Sequence, residues 1–313
     1  MPHYLVTGGC GFIGSHLVET LVKQGERVRV LDNCSTGSLN NLADVIAQTE
    51  FFHADLRDME AVKKAVAGVD YVLHQGALPS VPKSIEDPCL NHEVNITGTL
   101  NVLLAARDEG VKRVVFAASS AAYGNVPKLP KSEEQAPAPA SPYAIVKHAG
   151  ESYCKIFTEI YGLETVSLRY FNIFGPRQDP TSQYSGVIAR FLEAYRRGVP
   201  PRIEGDGEQT RDFTYVANVV EANLLACSAD GIAGELFNIG CGVQTSIRQL
   251  AALLGALMQS PLKPVHIAPR QGDVKHSLAD ISKARRLLGY SPKVGLETGL
   301  RHTVDWFMAQ HKN

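Results

Sequence analysis

The chain has no cysteine pair at CxxC spacing and no Cys/His cluster at zinc-ligand spacing. Its six cysteines, Cys10, Cys34, Cys89, Cys154, Cys227 and Cys241, are scattered over 313 residues. That pattern argues against a structural zinc or other metal site and predicts free thiols in a reducing compartment. An excess of charge is missing too. Thirty-one Lys and Arg stand against 32 Asp and Glu, for a net charge of -1 with no long basic run, so the electrostatic footprint of nucleic-acid binding is not there. No apolar stretch approaches the ~18 residues of a membrane span, and no charged and apolar leader precedes the first apolar run, His3 to Thr7. Repeats, low-complexity tracts and flexible linkers are also lacking. What remains is 44% hydrophobic and 20% charged. Such a chain can bury a full core, and the expectation is a soluble, cytoplasmic protein with a small-molecule partner and no nucleic-acid or membrane partner.

From residue 1 to about 170, short β-rich apolar runs alternate with helical patterns. The runs are Tyr4 to Thr7, Val28 to Leu31, Tyr71 to Leu73, Val114 to Ala118 and Thr165 to Leu168. Between them lie helical segments near Ser15 to Gln24, Asp58 to Ala67, Asn95 to Glu109 and Tyr143 to Tyr161. This rhythm predicts βαβ units, hence an α/β fold with a doubly wound parallel sheet and right-handed crossovers. After Phe171 it breaks into Gly-, Pro- and Gln-rich loops mixed with helices near Val187 to Arg197, Val219 to Ser228 and Ser246 to Leu257.

The run His3 to Thr7 leads into Gly8-Gly9-Cys10-Gly11-Phe12-Ile13-Gly14, and a helical pattern follows at once. Glycines at 8, 11 and 14 permit a tight turn and let backbone N–H groups approach a diphosphate at a helix N-terminus. Asp32 ends the next strand, eighteen residues after Gly14, where a carboxylate can accept hydrogen bonds from both ribose hydroxyls. Asn33 and Cys34 follow it rather than an Arg able to hold a 2′-phosphate, so the expected cofactor is NAD rather than NADP. Asp55 is expected to end a third strand. There it would either meet the adenine edge or cap the helix beginning near Asp58. Residues 1–171 therefore read as a Rossmann-type NAD-binding domain and 172–313 as a smaller, mainly substrate-binding α/β region. Part of 213–240 is expected to return to the first domain.

Ser141-Pro142-Tyr143-Ala144-Ile145-Val146-Lys147 places a serine at a plausible N-cap and proline at the first helical position. Tyr143 and Lys147, four apart, share one helix face. An ammonium beside a phenol favours the tyrosinate, so Lys147 is expected to lower the pKa of Tyr143 from ~10 and make it a general base. The alternative is a surface Tyr and Lys on an amphipathic helix. Ser119, at the end of Val114 to Ala118, lies where parallel sheets bind ligands and could hydrogen-bond a reacting oxygen. Alone it would read as a turn serine.

These stretches, with LDNCSTG, VLHQGALPSVPKSIEDP, ASSAAYGNVPKLPKSE, LRYFNIFGPRQDP, EGDGEQTRDFTYVANVV and PRQGDVKHSLADISKA, resemble the extended short-chain dehydrogenases over nearly the whole chain. Within them the chain looks most like UDP-hexose 4-epimerases acting on UDP-N-acetylglucosamine. The resemblance implies retained NAD and a catalytic set of Ser119, Tyr143 and Lys147. In such enzymes the tyrosine takes the proton of the sugar 4-hydroxyl as NAD takes the C4 hydride. The 4-keto sugar then turns over, and hydride returns to its other face.

By the same resemblance Gly8, Gly11, Phe12, Ile13, Gly14, Asp32, Asn33, Ser35, Thr36, Gly37, Asp55, Leu56, Gln75, Gly76, Ala77, Asn95 and Phe171 line the cofactor beside Tyr143 and Lys147. Asn172, Arg211, Arg270 and Asp273 would hold the UDP moiety, the guanidinium groups suiting a diphosphate. Surface salt bridges are the alternative for the two arginines. Ser80 and Val81 would approach the hexose. Ser277 stands where epimerases restricted to non-acetylated sugars carry a bulky aromatic, and its small side chain implies room for an N-acetyl group. A homodimer through helices Asn95 to Glu109 and Tyr143 to Tyr161 is also implied.

Two departures stand out: Gly76 where the family commonly has Ala, and Thr181-Ser182-Gln183 where it has Asn-Gly-Ala. Competing activities are weighed on single residues. A 4,6-dehydratase needs an Asp-Glu pair where this chain has Ser120 and Ala121, and a decarboxylase usually has Glu at Ala121. A UDP-glucuronate 4-epimerase stays open, with Arg177 as a carboxylate partner. A non-catalytic NAD-binding regulator would typically have lost Tyr143 or Lys147.

Overall fold

A computed structural model describes residues 1–178, 186–269 and 275–311. Its centre is a seven-stranded parallel sheet: β1 (His3–Thr7), β2 (Arg27–Asp32), β3 (Thr49–His53), β4 (Tyr71–His74), β5 (Arg113–Ser119), β6 (Glu164–Tyr170) and β7 (Leu236–Ile239). The spatial order is β7-β6-β5-β4-β1-β2-β3. The chain builds outward from β1 to β3, then returns to the other side of β1 with β4. Adjacent β1 and β4 thus form the point where strand order reverses, the place at which open α/β sheets bind ligands. The expected strands all form, extended by one to three residues, and β7 joins the sheet by pairing with β6 from Leu236↔Ser167 to Ile239↔Tyr170.

Both faces are covered, as a parallel sheet requires. Alternate residues of β5 separate cleanly. Val115 and Ala117 join the cluster of Val6, Leu17, Leu21 and Val219, while Val114, Phe116 and Ala118 join that of Leu5, Val102, Leu103 and Phe157. A third apolar cluster, including Phe174, Phe191, Leu250 and Phe307, holds the later helices Val187–Arg196, Ile247–Leu257 and Leu296–Gln310 together. The local signals behind the helices are visible. Ser141 Oγ accepts the N–H of Ala144 at 3.1 Å, with Pro142 opening helix Pro142–Tyr161. Asp58 caps Met59–Val66, and Ser246 with Gln249 forms a capping box on Ile247–Leu257.

Polar groups at the switch point are satisfied in sequence. Gly76 N–H donates to Thr7 Oγ1 at 3.1 Å, and that hydroxyl lies 2.7 Å from His74 Nδ1. Thr99 Oγ1 donates to Asn95 O at 2.7 Å and so accepts from His74 Nε2 at 3.0 Å. These directions assign the neutral Nε2–H tautomer. Burial, aided by the Lys147 charge, pushes His74 down to about 3. As pH falls below 6.5 the unfolded chain takes up this proton before the folded one does, so stability is lost from about pH 6.5 downward. His74 alone is expected to contribute about 1.4 kcal/mol per pH unit in that window. Denaturant titrations between pH 7 and 4 check this, with a shallower decline expected for His74→Asn. Identical slopes for the two proteins would place the acid sensitivity elsewhere.

Candidate active site

The turn after β1 is built for close backbone approach. Gly8 adopts φ 67°, and a Cβ on Gly14 would lie 2.1 Å from Gly8 O. Gly11, the N-cap of helix Phe12–Lys23, supplies no side-chain acceptor. The N–H groups of the first helical turn, Phe12 to Gly14, therefore keep the unpaired donor character of a helix N-terminus. At the end of β2, Asp32 is 9% exposed. Its Oδ2 accepts the N–H of Cys10 at 2.9 Å and its Oδ1 that of Cys34 at 2.7 Å, leaving further lone pairs for ribose hydroxyls. A Cβ-free cradle, an open helix end and a carboxylate at this depth fit a dinucleotide.

The neighbouring residues divide between wall and scaffold. Asn33 Nδ2 donates to Asp55 Oδ2 at 2.8 Å, bringing those two together. Asp55 lies two residues beyond the end of β3 and does not cap the next helix, a task Asp58 performs. Instead its carboxylate takes the N–H and guanidinium of Arg57, which hold it down to about 2. The Asn95 amide is spent on the protein, donating to Leu78 O and Asn91 Oδ1 and accepting from Leu78 N–H. It shapes the Gln75–Leu78 turn from behind. Gln75 bridges Asn223 and Tyr170 at 3.0 and 3.1 Å. The Phe171 ring is fully buried, near Tyr123. At the Gly76 departure, a methyl would meet the end of the Leu56 side chain, Cδ1, at 2.8 Å.

Ser119, Tyr143 and Lys147 converge at the carboxyl end of β5. Ser119 closes the strand, and its Oγ accepts the N–H of Ala121 at 3.2 Å. Tyr143 is placed through its backbone, whose N–H reaches Ser84 Oγ at 3.1 Å. Burial raises the Tyr143 pKa, and a hydrogen bond with the Ser119 side chain pulls it back. This departs from the expectation that Lys147 would lower it. Lys147 Nζ instead donates to Ala117 O at 2.7 Å and sits 5.0 Å from the centre of the Phe116 ring. Burial lowers Lys147 to about 8, with the Glu151 carboxylate opposing. Gly150 lets this helix lie flat on the sheet, since a Cβ there would fall 2.4 Å from Phe116 Cζ.

Sequence reasoning missed the group that clamps this helix. Glu151, one turn beyond Lys147, takes both Nε and Nη2 of Arg169 on β6 at 2.7 Å. Both residues are buried, and the guanidinium carbon lies 4.5 Å from the Tyr123 ring centre. The four-residue spacing from Lys147 was the available signal, but nothing in the sequence pairs Glu151 with a strand eighteen residues away.

On the substrate side, Asn172 (φ 40°) and Arg211 line one cleft of ≈ 210 Å³ with Gln178, Arg190, Arg202 and Glu204. Arg211 Nη1 donates to Thr210 O at 2.9 Å. Ser277 is anchored to the short strand Thr210–Arg211, its N–H reaching Thr210 O at 3.1 Å. Asp212, unremarked in the sequence, is fully buried and gathers the N–H groups of Cys241, Gly242 and Ala279. Ser80 caps helix Val81–Glu86, and Val81 is exposed beside it. Arg177 is paired with Glu19 through Nη2. Arg270, Asp273 and Thr181 to Gln183 lie outside the described residues.

A glycine-turned crossover with an acidic residue closing β2, joined to a Ser/Tyr/Lys cluster at the strand ends, defines a dinucleotide-dependent enzyme. The sequence pattern of the NAD dependent epimerase/dehydratase family matches residues 4–240. The UDP-glucose 4-epimerase of Mycolicibacterium smegmatis is 39% identical over 307 residues, 97% of this chain and 97% of that protein. The crystal structure of UDP-glucose 4-epimerase from Thermotoga maritima with UDP-glucose matches with a TM-score of 0.94 at 41% identity, over 99% of this chain and 100% of that one. A UDP-N-acetylglucosamine 4-epimerase from Methanobrevibacter ruminantium, in complex with UDP-N-acetylmuramic acid, matches with a TM-score of 0.95 at 40% identity, over 99% of each chain. The chain belongs to the NAD dependent epimerase/dehydratase family, in its UDP-sugar 4-epimerase group, and its cofactor is NAD.

Removing the clamp charge tests how the helix is held. Glu151→Gln leaves the Arg169 cation buried and unpaired and is expected to cost about 3–5 kcal/mol, while Glu151→Leu combined with Arg169→Leu should recover most of it. Equilibrium denaturation of the three proteins measures both. A loss below about 1 kcal/mol in the single variant would mean that packing alone seats the helix.

Proposed function

We propose that this enzyme inverts C4 of a UDP-N-acetylhexosamine, interconverting UDP-GlcNAc and UDP-GalNAc, with UDP-Glc/UDP-Gal as a second substrate pair. The observation that carries the reaction is the convergence of Ser119, Tyr143 and Lys147 where β5 meets the ligand-binding end of the sheet. NAD, when bound, supplies the hydride acceptor and donor at the sugar carbon. Tyr143 takes the proton of the 4-hydroxyl and later returns it to the 4-oxygen. Ser119 holds that oxygen and favours the phenolate, and the Lys147 cation adds to the field that stabilises negative charge there. Ser277, a small side chain tied to the Thr210–Arg211 strand, supports room for an N-acetyl group. Asn172 and Arg211 would hold the UDP moiety, together with Arg270 and Asp273. In this reading residues 1–171 form the NAD domain and 172–313 mainly the substrate side.

Incubation with UDP-GlcNAc and, separately, UDP-Glc, without added NAD, is followed by NMR of the anomeric protons. UDP-GalNAc is expected to form, and Tyr143→Phe should slow it by about 10²–10⁴-fold. Conversion of UDP-Glc alone would remove the Ser277 argument. Conversion of neither, even with NAD added, would overturn the proposed substrates.

The proposal includes a homodimer working in the cytoplasm. Ile145, Ile156 and Ile160 are 54%, 41% and 67% exposed and fall on one face of helix Pro142–Tyr161, an apolar stripe suited to a two-fold helix interface. Light scattering should give twice the chain mass for the wild type and the single-chain mass for Ile156→Glu/Ile160→Glu. A monomeric wild type would rule out this assembly. Among the described residues no helix is long and apolar enough to cross a membrane.

A further inference from the structure

Two cysteines meet beneath the cofactor cradle, and the reaction uses neither. Cys10 lies inside the glycine turn after β1, and Cys34 follows Asp32 and Asn33 in the loop after β2. One ligand atom from each, the Cys10 and Cys34 sulfurs and an Asp32 carboxylate oxygen, form a triangle with no side longer than 4.8 Å. The backbones of the two cysteines are held from the same point, because the N–H groups of both residues donate to the two oxygens of Asp32. Cys10 O in turn accepts Ser38 N–H at 3.0 Å and Asn41 Nδ2 at 2.9 Å. Turn and loop are thus a single hydrogen-bonded unit with a sulfur on each side. Cys34 is half-exposed and takes the left-handed conformation (φ 54°), whereas Cys10 is fully buried.

We propose that Cys10 and Cys34 form a reversible redox site, in which a hydroperoxide oxidises the pair to a disulfide that closes the NAD cradle. The exposure difference sets the order of events. The Cys34 thiolate attacks the distal peroxide oxygen, the O–O bond breaks, and the alkoxide or hydroxide leaves, giving the sulfenic acid at Cys34. Cys10 sulfur then attacks Cys34 sulfur. The S–O bond breaks, and the departing hydroxide takes the Cys10 proton as water. The two thiols have been oxidised by two electrons and the peroxide reduced by two. Burial and the Asp32 charge push the Cys10 thiol up, which suits it to the resolving role rather than the attacking one. Closing the sulfur gap to the ~2.05 Å of a disulfide draws the loop onto the turn. Asp32 holds the backbones of both cysteines through its two oxygens, so drawing them together shifts its carboxylate from the position that would meet a ribose. Bound NAD covers the same carboxylate and shields the pair. The site therefore senses oxidant in enzyme that has lost its cofactor.

The inference rests on the reading of Asp32 and the glycine turn as the NAD cradle. The two can be tested apart, because the cross-link is read by mass and cofactor binding by calorimetry. Purified enzyme, stripped of NAD or saturated with it, is exposed to tert-butyl hydroperoxide and digested with trypsin without reductant. The expected product in the stripped sample is peptide 1–23 joined to peptide 30–57, lighter by two hydrogens. It should disappear with dithiothreitol and be strongly reduced in the NAD-saturated sample. Affinity for NAD should fall at least tenfold on oxidation and recover on reduction, while Cys34→Ser should keep its affinity through the same treatment. Over-oxidised Cys34 without the cross-link would overturn the proposal, as would a cross-link that leaves NAD affinity unchanged. Failure of the reduced protein to bind NAD at all would instead defeat the reading of the cradle.

Discussion

The buried pairing of Glu151 with Arg169 is the constraint on which the site depends. It ties helix Pro142–Tyr161 to β6, the strand beside β5, from whose carboxyl end Ser119 emerges. Tyr143 and Lys147 are carried on the first turn and a half of that helix, so their position relative to Ser119 is set by how the helix seats. Apolar packing supplies the attraction, through Phe116 against Gly150 and through Cys154 and Phe157. Packing alone is non-directional, however, and would tolerate a slide along the sheet. A bidentate ion pair, stacked on Tyr123 and surrounded by core, does not.

The same carboxylate has an electrostatic task. Lys147 is deeply buried, and desolvation works against its charge. Glu151 lies one turn away and opposes that loss, while the Ala117 carbonyl and the Phe116 ring face give the ammonium favourable contacts. Tyr143 carries the opposite burden, since burial disfavours the phenolate. Its help comes from Ser119. The cluster is therefore a set of buried ionisable groups with compensating neighbours, a pattern that marks functional sites more often than structural ones.

At the switch point the demand is steric rather than electrostatic. Gly8 and Gly76 bring two strand-to-helix turns together so tightly that a Cβ on Gly8 would fall 2.7 Å from Gly76 Cα. The chain of hydrogen bonds through Thr7, His74, Thr99 and Asn95 pairs these four side chains behind that contact. Asn95, which the resemblance makes a cofactor residue, pairs its amide with the Leu78 backbone and Asn91. Phe171 is drawn into the core.

Local chemistry was decisive wherever a signal lies within a few residues. The glycine turn, Asp32 eighteen residues on, the Ser-Pro cap and the Tyr/Lys spacing were legible because turns, strand ends and helix faces are governed by near neighbours. The alternating apolar runs likewise announced the parallel sheet. Tertiary structure alone decided the rest. It paired Glu151 with Arg169, turned Lys147 toward Ala117, engaged Arg177 with Glu19 and set Cys10 beside Cys34. Each of these joins residues far apart in the chain or rotates a side chain among several possible partners. Sequence spacing carries no information about which partner burial will select, because that choice is made only when the layers close and every buried charge must find its complement.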